Sequence, residues 1–405
     1  MRTRLFKIAF ALYLSFGFLL HAQTYRVFYS FPSEQAGNDP TSTLVRDQAG
    51  NLYGTTFSGG ISYGKNCSVW GGCGTIFKIT PNGKQTTLFN FGLTSTDGQN
   101  PYSTVAVVGN ALYGTTIYGG ADGNGAVFKL DSTGHETLLH SFTGGTDGKY
   151  PDAGVVPDSA GNVYGAAQQG GNLADCDGGG CGTIFKIATN GSFSVLYSFT
   201  GGADGASPTS TMIRDNQGNL YGVGESGGTG PCIGGCGVVF KMDSSDNETV
   251  LYSFNGPPDD GQEPVGPPVR DAAGNLYGTT TFGGPHNAGT VYKVDPNGNE
   301  TVLYNFAQWP APGGQYPDGA LLLDKQGNLY GGTSTGGQFG LGAIFKLTQS
   351  GELTVLHYFS GAPNDGGEPD GALTPDGQGG VLGTGAIGGT GSCPVGCGII
   401  FRLGK

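Results

Sequence analysis

Two glutamates that precede prolines are the residues best suited to acid–base chemistry. Glu263 lies in Gln-Glu-Pro and Glu368 in Gly-Glu-Pro, at matching places in the chain. Other carboxyl groups are close to them in sequence, at Asp259, Asp260 and Asp370. A pair of carboxyl groups placed on either side of a glycosidic bond can hydrolyse that bond. Because their separation depends on the fold, a glycoside hydrolase or a polysaccharide lyase is one hypothesis for function.

No other catalytic set is recognisable in the sequence. His140 and His357 occupy a place where other copies of a recurring segment carry tyrosine or phenylalanine, so we interpret them as aromatic substitutes. His135 falls in a tight turn, and His286 in a loop without an identifiable partner. Residues 60–64 match the serine nucleophile elbow by letter, but they lack its strand-to-helix context. The sequence therefore favours a non-catalytic protein without a cofactor or metal site.

The first 22 residues have the composition of a secretory signal peptide. Basic residues precede an apolar run from Ile8 to Leu20, and the small residue Ala22 ends the segment. We predict cleavage before Gln23 and a single domain over residues 23–405. Since no later apolar run is long enough to cross a bilayer, we expect a product released to the periplasm or the exterior of the cell.

The charge balance limits the partners that this chain can bind. The whole sequence has a net charge of −12, and only 12% of its residues are charged. An acidic surface repels phosphate backbones and anionic lipids. Nucleic acid and membrane surfaces are therefore poor partners, and we expect a monomer that meets a polysaccharide or an extracellular protein.

A repeat carries the candidate residues. The heptapeptide Gly-Asn-Leu-Tyr-Gly-Thr-Thr begins at Gly50 and again at Gly274. Looser copies bring the total to seven, at intervals of about 55 residues. The tyrosine position falls at Tyr53, Tyr113, Tyr164, Tyr221, Tyr277, Tyr330 and Leu382. A fixed period of this size indicates a repeat architecture.

The sequence predicts four strands in each repeat. In the first copy we predict strands over residues 42–47, 51–57, 75–79 and 85–91. Glycine-containing tight turns join the first strand to the second and the third to the fourth, and a Gly-rich loop joins the second to the third. β-branched and aromatic residues fill the strands, and no run has helical spacing. The sequence thus predicts an all-β, seven-bladed β-propeller of four-stranded antiparallel blades.

The two ends of the chain carry complementary parts of one blade. A fourth-strand sequence, Val27 to Phe31, follows the leader directly, whereas the chain ends after a third-strand sequence, Ile399 to Arg402. We predict that the N-terminal strand completes the blade begun by the C-terminal strands, which hides the last sheet edges. The step between blades can use either long loop, and we favour the link after the fourth strand, where a proline opens the next blade.

These motifs resemble a known family. The segments Gly-Asn-Leu-Tyr-Gly-Thr-Thr, Gly-Thr-Ile-Phe-Lys and Leu-Tyr-Ser-Phe are similar to the GloVer tandem repeat of secreted bacterial proteins, over nearly the whole mature chain. The resemblance implies a secreted β-propeller-like repeat protein. It implies no activity and no catalytic residue.

The cysteines identify one face of the predicted propeller. All of them lie in the loops before the third strands, in the close pairs Cys67/Cys73, Cys176/Cys181, Cys232/Cys236 and Cys393/Cys397. In an exported protein an even number at such spacing indicates disulfides, and four local bridges are the most economical pairing. Metal thiolates are the alternative, which the absence of histidine partners disfavours.

Aspartates and aromatic residues lie in the loops of the same face. Six aspartates occupy equivalent places in the links, namely Asp39, Asp97, Asp147, Asp204, Asp260 and Asp365. We interpret them as turn formers rather than as calcium ligands. The loop aromatics suited to stacking on sugars or to anchoring a protein are Tyr63, Trp70, Tyr102, Tyr118, Tyr150, Trp309 and Tyr316. Covering the Gly-rich loops is an equally good interpretation of them.

Taken together, these features predict a secreted, non-catalytic propeller that binds a polysaccharide or a protein on its cysteine-bearing face. The candidate ligand-binding residues are Trp70, Trp309, Tyr63, Tyr150, Tyr316, Glu263 and Glu368. The hydrolase or lyase hypothesis stands as the alternative.

Overall fold

The blades of a propeller are evident in the hydrogen-bonded sheets. A computed structural model describes residues 24–61, 67 and 71–404. They form seven four-stranded antiparallel sheets around a central channel that residues of every blade line. The predicted architecture is confirmed. The leader, residues 1–22, lies outside the described residues.

The strands of the first four blades, from the channel outwards, are Val45–Arg46, Leu52–Thr56, Thr75–Ile79 and Gln85–Asn90; Ala106–Val108, Ala111–Thr116, Ala126–Leu130 and Glu136–Ser141; Val156–Pro157, Val163–Ala167, Thr183–Ile187 and Phe193–Ser198; Ile213–Arg214, Leu220–Gly224, Val238–Met242 and Glu248–Ser253. Those of the last three blades are Gly261–Arg270, Leu276–Gly283, Thr290–Val294 and Glu300–Asn305; Leu322–Leu323, Leu329–Thr333, Ala343–Leu347 and Leu353–Tyr358; Thr374–Pro375, Val381–Gly385, Ile399–Gly404 and Thr24–Ser30.

Shorter elements lie in the loops. Two-stranded ladders join Gly98–Gln99 to Tyr118–Gly119 and Gly366–Gly367 to Ile387–Gly388. Among the described residues, 3₁₀ turns occur at Glu34–Ala36 and Cys176–Gly178. None of the described residues forms a helix long and apolar enough to cross a membrane.

The ring closes as the sequence predicts. The strand Thr24–Ser30 pairs antiparallel with Ile399–Gly404, from Thr24 opposite Gly404 to Ser30 opposite Ile399. The order of strands places this N-terminal strand at the outer edge of the last blade. The chain therefore steps between blades after the fourth strand, which was the favoured alternative.

The repeated Asn-Leu-Tyr-Gly motif is explained by a hydrogen-bonded cluster at the first hairpin. Asp47 accepts hydrogen bonds from Asn51 Nδ2 at 2.7 Å and from Tyr53 Oη at 3.1 Å. The cluster recurs in four later blades, at Asp158, Asn162 and Tyr164; Asp215, Asn219 and Tyr221; Asp271, Asn275 and Tyr277; Asp324, Asn328 and Tyr330. The motif thus fixes the turn at the channel end of each of these blades.

The glycine of the motif fits against a buried aromatic ring. A Cβ atom added to Gly165 would lie 2.4 Å from Cζ of Phe185 on the next strand. Phe185 in turn meets Phe142, which follows the fourth strand of the preceding blade, with ring centroids 5.4 Å apart. Such edge-to-face pairs recur at every interface between blades, with centroids 5.0 to 5.4 Å apart, between Phe31 and Phe77, Phe91 and Phe128, Phe199 and Phe240, Phe254 and Tyr292, Phe306 and Phe345, and Phe359 and Phe401.

The first strand of blade one is shorter than predicted. The prediction was residues 42–47, but only Val45–Arg46 pairs with the second strand. Ser42 Oγ accepts a hydrogen bond from the amide of Thr55 at 2.9 Å, so a side chain replaces the backbone partner there. Pro40, which has no amide hydrogen, precedes this segment, and the chain lines the channel instead of extending the ladder.

On three blades, the outer strand begins with a glutamate, Glu136, Glu248 or Glu300, that interacts with an aspartate of the link from the preceding blade. Asp204 accepts hydrogen bonds from the amide of Thr200 at 2.8 Å and from Tyr197 Oη at 3.0 Å. Burial and the charge of Asp204 raise the pKa of Glu248, on the next blade, to about 7. Glu248 Oε1 is buried and has no hydrogen-bond partner among the described residues. Folding therefore disfavours the ionised form of this side chain.

We predict that Gly165→Ala lowers the free energy of unfolding by about 1–3 kcal/mol, because the added methyl group overlaps the ring of Phe185. Urea unfolding of the purified protein measures the change. The matched control is Gly179→Ala, since a Cβ at Gly179 would come no closer than 3.5 Å to another atom and its φ is −92°. Equal stability of the two variants would show that the glycine–phenylalanine fit is unimportant.

We also predict that Glu248→Gln stabilises the protein increasingly as the pH rises from about 4.5 to 7. Below the unfolded pKa of 4.5 the carboxyl group is protonated in both states, whereas above about 7 it is ionised in both and destabilises the fold. The expected gain at pH 8 is about 1–2 kcal/mol after allowance for solvent screening. Thermal unfolding at several pH values tests this, with the exposed Glu352→Gln as control. A gain independent of pH would contradict it.

Candidate functional site

Every blade begins with a residue in the left-handed backbone region, followed by proline. The φ angles of these pre-proline residues lie between 51° and 62°, although none of them is glycine. Left-handed φ is uncommon for such residues, and local strain of this kind concentrates at functional sites. The pre-proline residues are Asp39, Asn100, Tyr150, Ser207, Glu263, Tyr316 and Glu368. Two predicted tyrosines and both predicted glutamates therefore share one structural position.

Backbone hydrogen bonds to two blades hold this conformation. The amide of Glu263 donates to the carbonyl of Cys236 in the preceding blade at 3.0 Å. The carbonyl of Ser207 accepts from the amide of Glu225 in its own blade at 3.1 Å. Amides of six of the seven pre-proline residues bond to the preceding blade in this way. The side chain at each position is thus free to vary while its backbone stays fixed.

The proline that follows packs against a glycine of the preceding blade. A Cβ atom at Gly398 would lie 2.3 Å from Cδ of Pro40. The equivalent distances at the other interfaces range up to 2.9 Å, for the pairs Gly74 and Pro101, Gly125 and Pro151, Gly182 and Pro208, Gly237 and Pro264, Gly289 and Pro317, and Gly342 and Pro369. The invariant proline and glycine of each repeat therefore form one contact between blades.

The cysteines form four local bridges, Cys67–Cys73, Cys176–Cys181, Cys232–Cys236 and Cys393–Cys397. The predicted disulfides are confirmed, and they indicate an oxidising compartment. The carbonyl groups of Cys73, Cys181 and Cys236 accept the amides of Asn100, Ser207 and Glu263, at 2.8 to 3.0 Å. Three of the bridges therefore support pre-proline residues directly.

The pre-proline residues lie at the disulfide-bearing end of the central channel. This channel has a volume of about 680 Å³, and its lining combines hydroxyl and carboxyl side chains with apolar ones such as Met212, Ile213 and Val269. Its acidic lining residues come from five blades, namely Asp152, Glu225, Glu263, Asp318 and Asp370. Tyr102 projects among them and keeps 44% of its surface exposed. No lysine, arginine or histidine is among the described residues that line the channel.

The channel carboxyl groups interact with one another through their charges. Burial and the charge of Glu368 raise the pKa of Asp39 to about 6. Burial, and then Asp318, Asp39 and Glu368, raise the pKa of Asp370 well above its ordinary value. Burial and Glu225 do the same for Asp152. The acidic side chains of different blades are therefore close enough for their charges to interact.

The same carboxyl groups also affect the pKa of Tyr102. Burial raises the pKa of its hydroxyl group, and the charges of Asp370, Asp318, Asp39 and Asp152 raise it further. Its ring lies 5.9 Å from that of Phe57, centroid to centroid. Tyr102 was noted in the sequence as a loop aromatic, but its position among the carboxyl groups was not predicted.

The remaining predicted aromatics have different surroundings. The ring of Tyr150 contacts that of Tyr118, with centroids 5.4 Å apart, and Tyr316 contacts Phe282 at the same distance. Trp309 is 59% exposed in the link before blade six, where its amide donates to Gln315 Oε1 at 2.8 Å. Tyr63 and Trp70 lie outside the described residues.

The sequence alignment of the aspartates was wrong for Asp39. Asp39 immediately precedes Pro40, as Glu263 precedes Pro264, whereas Asp97, Asp147, Asp204, Asp260 and Asp365 stand three residues before the pre-proline position. The link into blade one has Ala36 at that earlier place. Aligning the links on their prolines would have identified Asp39 as the pre-proline residue of blade one.

The other link aspartates form turns, together with the histidines. His140 Nε2 lies 3.0 Å from Asp147 Oδ2, and His357 Nε2 lies 3.0 Å from Asp365 Oδ2. These contacts match that of Tyr252 Oη with Asp260, at 2.7 Å. Both histidines therefore replace a tyrosine, as predicted. No group of three or more His, Cys, Asp and Glu residues that could hold a metal ion occurs within the described ranges.

Known structures share this fold at low sequence identity. An extracellular domain from B. thetaiotaomicron is 12% identical with a TM-score of 0.52, and the match covers 95% of this chain and 42% of that one. A puromycin-hydrolyzing peptidase of Mycobacterium tuberculosis is 13% identical with a TM-score of 0.51, over 89% of this chain and 52% of that one. These likenesses show the fold alone. No curated protein matches the chain significantly.

A family model covers nearly the whole chain. The Gloeobacter/Verrucomicrobia repeat matches residues 14–234 and 231–405, and thus includes the pre-proline links, the disulfide loops and the strands described above. The protein belongs to the Gloeobacter/Verrucomicrobia repeat family.

Proposed function

We propose that the protein is a secreted, non-catalytic binding propeller that recognises a polysaccharide or an extracellular protein at the disulfide-bearing end of its channel. The observation that carries this proposal is the shared backbone position of the pre-proline residues. It brings Tyr150, Glu263, Tyr316 and Glu368 to one end of a rigid scaffold. Varied side chains on a fixed frame are typical of recognition surfaces.

Secretion is part of the proposal and rests on two observations. Residues 1–22 have the composition of a leader. Four disulfides are stable only in an oxidising compartment. The periplasm and the cell exterior both satisfy this condition.

The carboxyl groups favour a second candidate, a glycoside hydrolase. Glycoside hydrolysis needs one protonated and one ionised carboxyl group, and the raised pKa of Asp39, about 6, would supply the protonated one. A lyase is disfavoured because the described channel lining has no basic side chain to neutralise a substrate carboxylate. Binding is the leading proposal, since the acidic residues among the described channel lining come one from each of five blades.

We predict that Tyr102→Ala weakens binding of the ligand roughly three- to tenfold, because it removes an aromatic surface exposed within the channel. A glycan array and a pull-down from bacterial surface material would identify the ligand, and titration calorimetry would measure its affinity. The matched control is His135→Ala, which removes an exposed aromatic ring from a tight turn on the opposite face. Equal affinity of wild type and both variants would contradict binding at the channel.

The hydrolase candidate has its own test. If it is correct, the wild type releases reducing ends from a plant or bacterial glycan, and Glu263→Gln or Glu368→Gln lowers kcat by about 10²–10⁴-fold. Turnover that both variants retain would exclude these glutamates. The absence of turnover on every glycan bound in the array would exclude the hydrolase.

A further inference from the structure

The channel concentrates negative charge without a counter-charge. Its carboxyl groups belong to different blades: Asp152 to blade three, Glu225 to blade four, Glu263 to blade five, Asp318 to blade six and Asp370 to blade seven. None of the ion pairs found between described residues includes any of them. Burying unpaired carboxyl groups together is unfavourable unless something compensates their charge. A positively charged group of a ligand would compensate the charge of these carboxyl groups when they are ionised.

Unpartnered polar atoms indicate that the channel is built to contact a ligand. Ser210 lines the channel with only 4% of its surface exposed, and its Oγ has no hydrogen-bond partner among the described residues. Asp152 Oδ1 and Asp318 Oδ1 are likewise buried without partners in the described part of the chain. A buried polar atom without a hydrogen bond is costly, and native proteins contain few. The hydroxyl group of Ser210 is an observation independent of the charge of the cavity.

The arrangement fits an organic cation better than a metal ion. The described residues offer no group of three or more ligands close enough for a single metal. The carboxyl groups are instead distributed around the ring, so they suit a ligand that carries several positive groups along its length. The hydroxyl groups of Thr43, Ser103, Thr104, Thr209 and Thr211, which share the lining, can exchange hydrogen bonds with sugar hydroxyl groups.

We propose that the channel binds an oligosaccharide of amino sugars through its free ammonium groups, with Asp152 and Asp370 as principal partners. This inference rests on the proposed binding function and names the chemistry of the ligand. An ammonium group would favour the ionised form of these carboxyl groups, and charge-assisted hydrogen bonds are stronger than neutral ones. A neutral glycan would leave the ring of charge uncompensated, and an acidic glycan would be repelled by it.

Titration calorimetry near pH 6 tests the proposal with four probes: glucosamine tetramer, N-acetylglucosamine tetramer, cellotetraose and spermidine. We expect the glucosamine tetramer to bind at least tenfold more tightly than its N-acetylated and neutral counterparts. Asp152→Asn and Asp370→Asn should each weaken that binding about tenfold or more, because each removes a buried charged partner. The matched control is Asp246→Asn, which removes one charge from a hairpin turn on the opposite face, where the φ of 64° suits asparagine.

The other outcomes separate this proposal from the general binding function. Equal binding of the acetylated and free tetramers, or unchanged affinity in both channel variants, overturns the amine assignment but leaves a glycan-binding propeller. Binding of spermidine without the glucosamine tetramer overturns the assignment to a sugar, as does the absence of binding by either. Unfolding curves of the variants show that they are folded. The glycan array and the pull-down test the general binding function separately, since neither of them requires a ligand with amino groups.

Discussion

The structure depends on the edge-to-face contact between aromatic rings of successive blades, which pairs two phenylalanines at six interfaces and Phe254 with Tyr292 at the seventh. One ring follows the fourth strand of a blade, and the other lies on the third strand of the next, where it covers a glycine of the second strand. The second ring thus packs against the glycine of its own blade and also against the ring of the preceding blade. Phe31 and Phe77 make it across the point where the two ends of the chain meet, with centroids 5.2 Å apart. The ring therefore closes by the same interaction that builds it, and closure needs no special device.

The fold could be predicted almost completely, because its determinants are local and repeated. Glycines at turns, alternating strand residues and the offset between the two chain ends are all visible in the sequence. The length of the innermost strand was not predictable from the same signals. Ser42 replaces a backbone acceptor with its side chain, and such an exchange leaves no mark on hydrophobic alternation.

The candidate site could be predicted only in part. Glu263 and Glu368 were recognisable because similar residues surround them, and the structure places both at the channel end. Asp152 and Asp318 follow their prolines, so they become neighbours of the other acids only when the ring closes. Asp39 was misaligned because the link into blade one lacks the turn-forming aspartate that marks the other links. These acidic side chains come from different repeats and approach one another only around the central axis of the complete propeller. No single repeat of the sequence therefore shows that they are neighbours.

The pre-proline position has a consequence for the evolution of such proteins. Main-chain contacts alone impose its conformation, so aspartate, asparagine, tyrosine, serine and glutamate all occupy it within this one molecule. Recombination between neighbouring copies of the gene segment would exchange these side chains without changing the backbone that carries them. A single genetic event could then change the charge and polarity of the central channel, while the propeller around it kept its geometry.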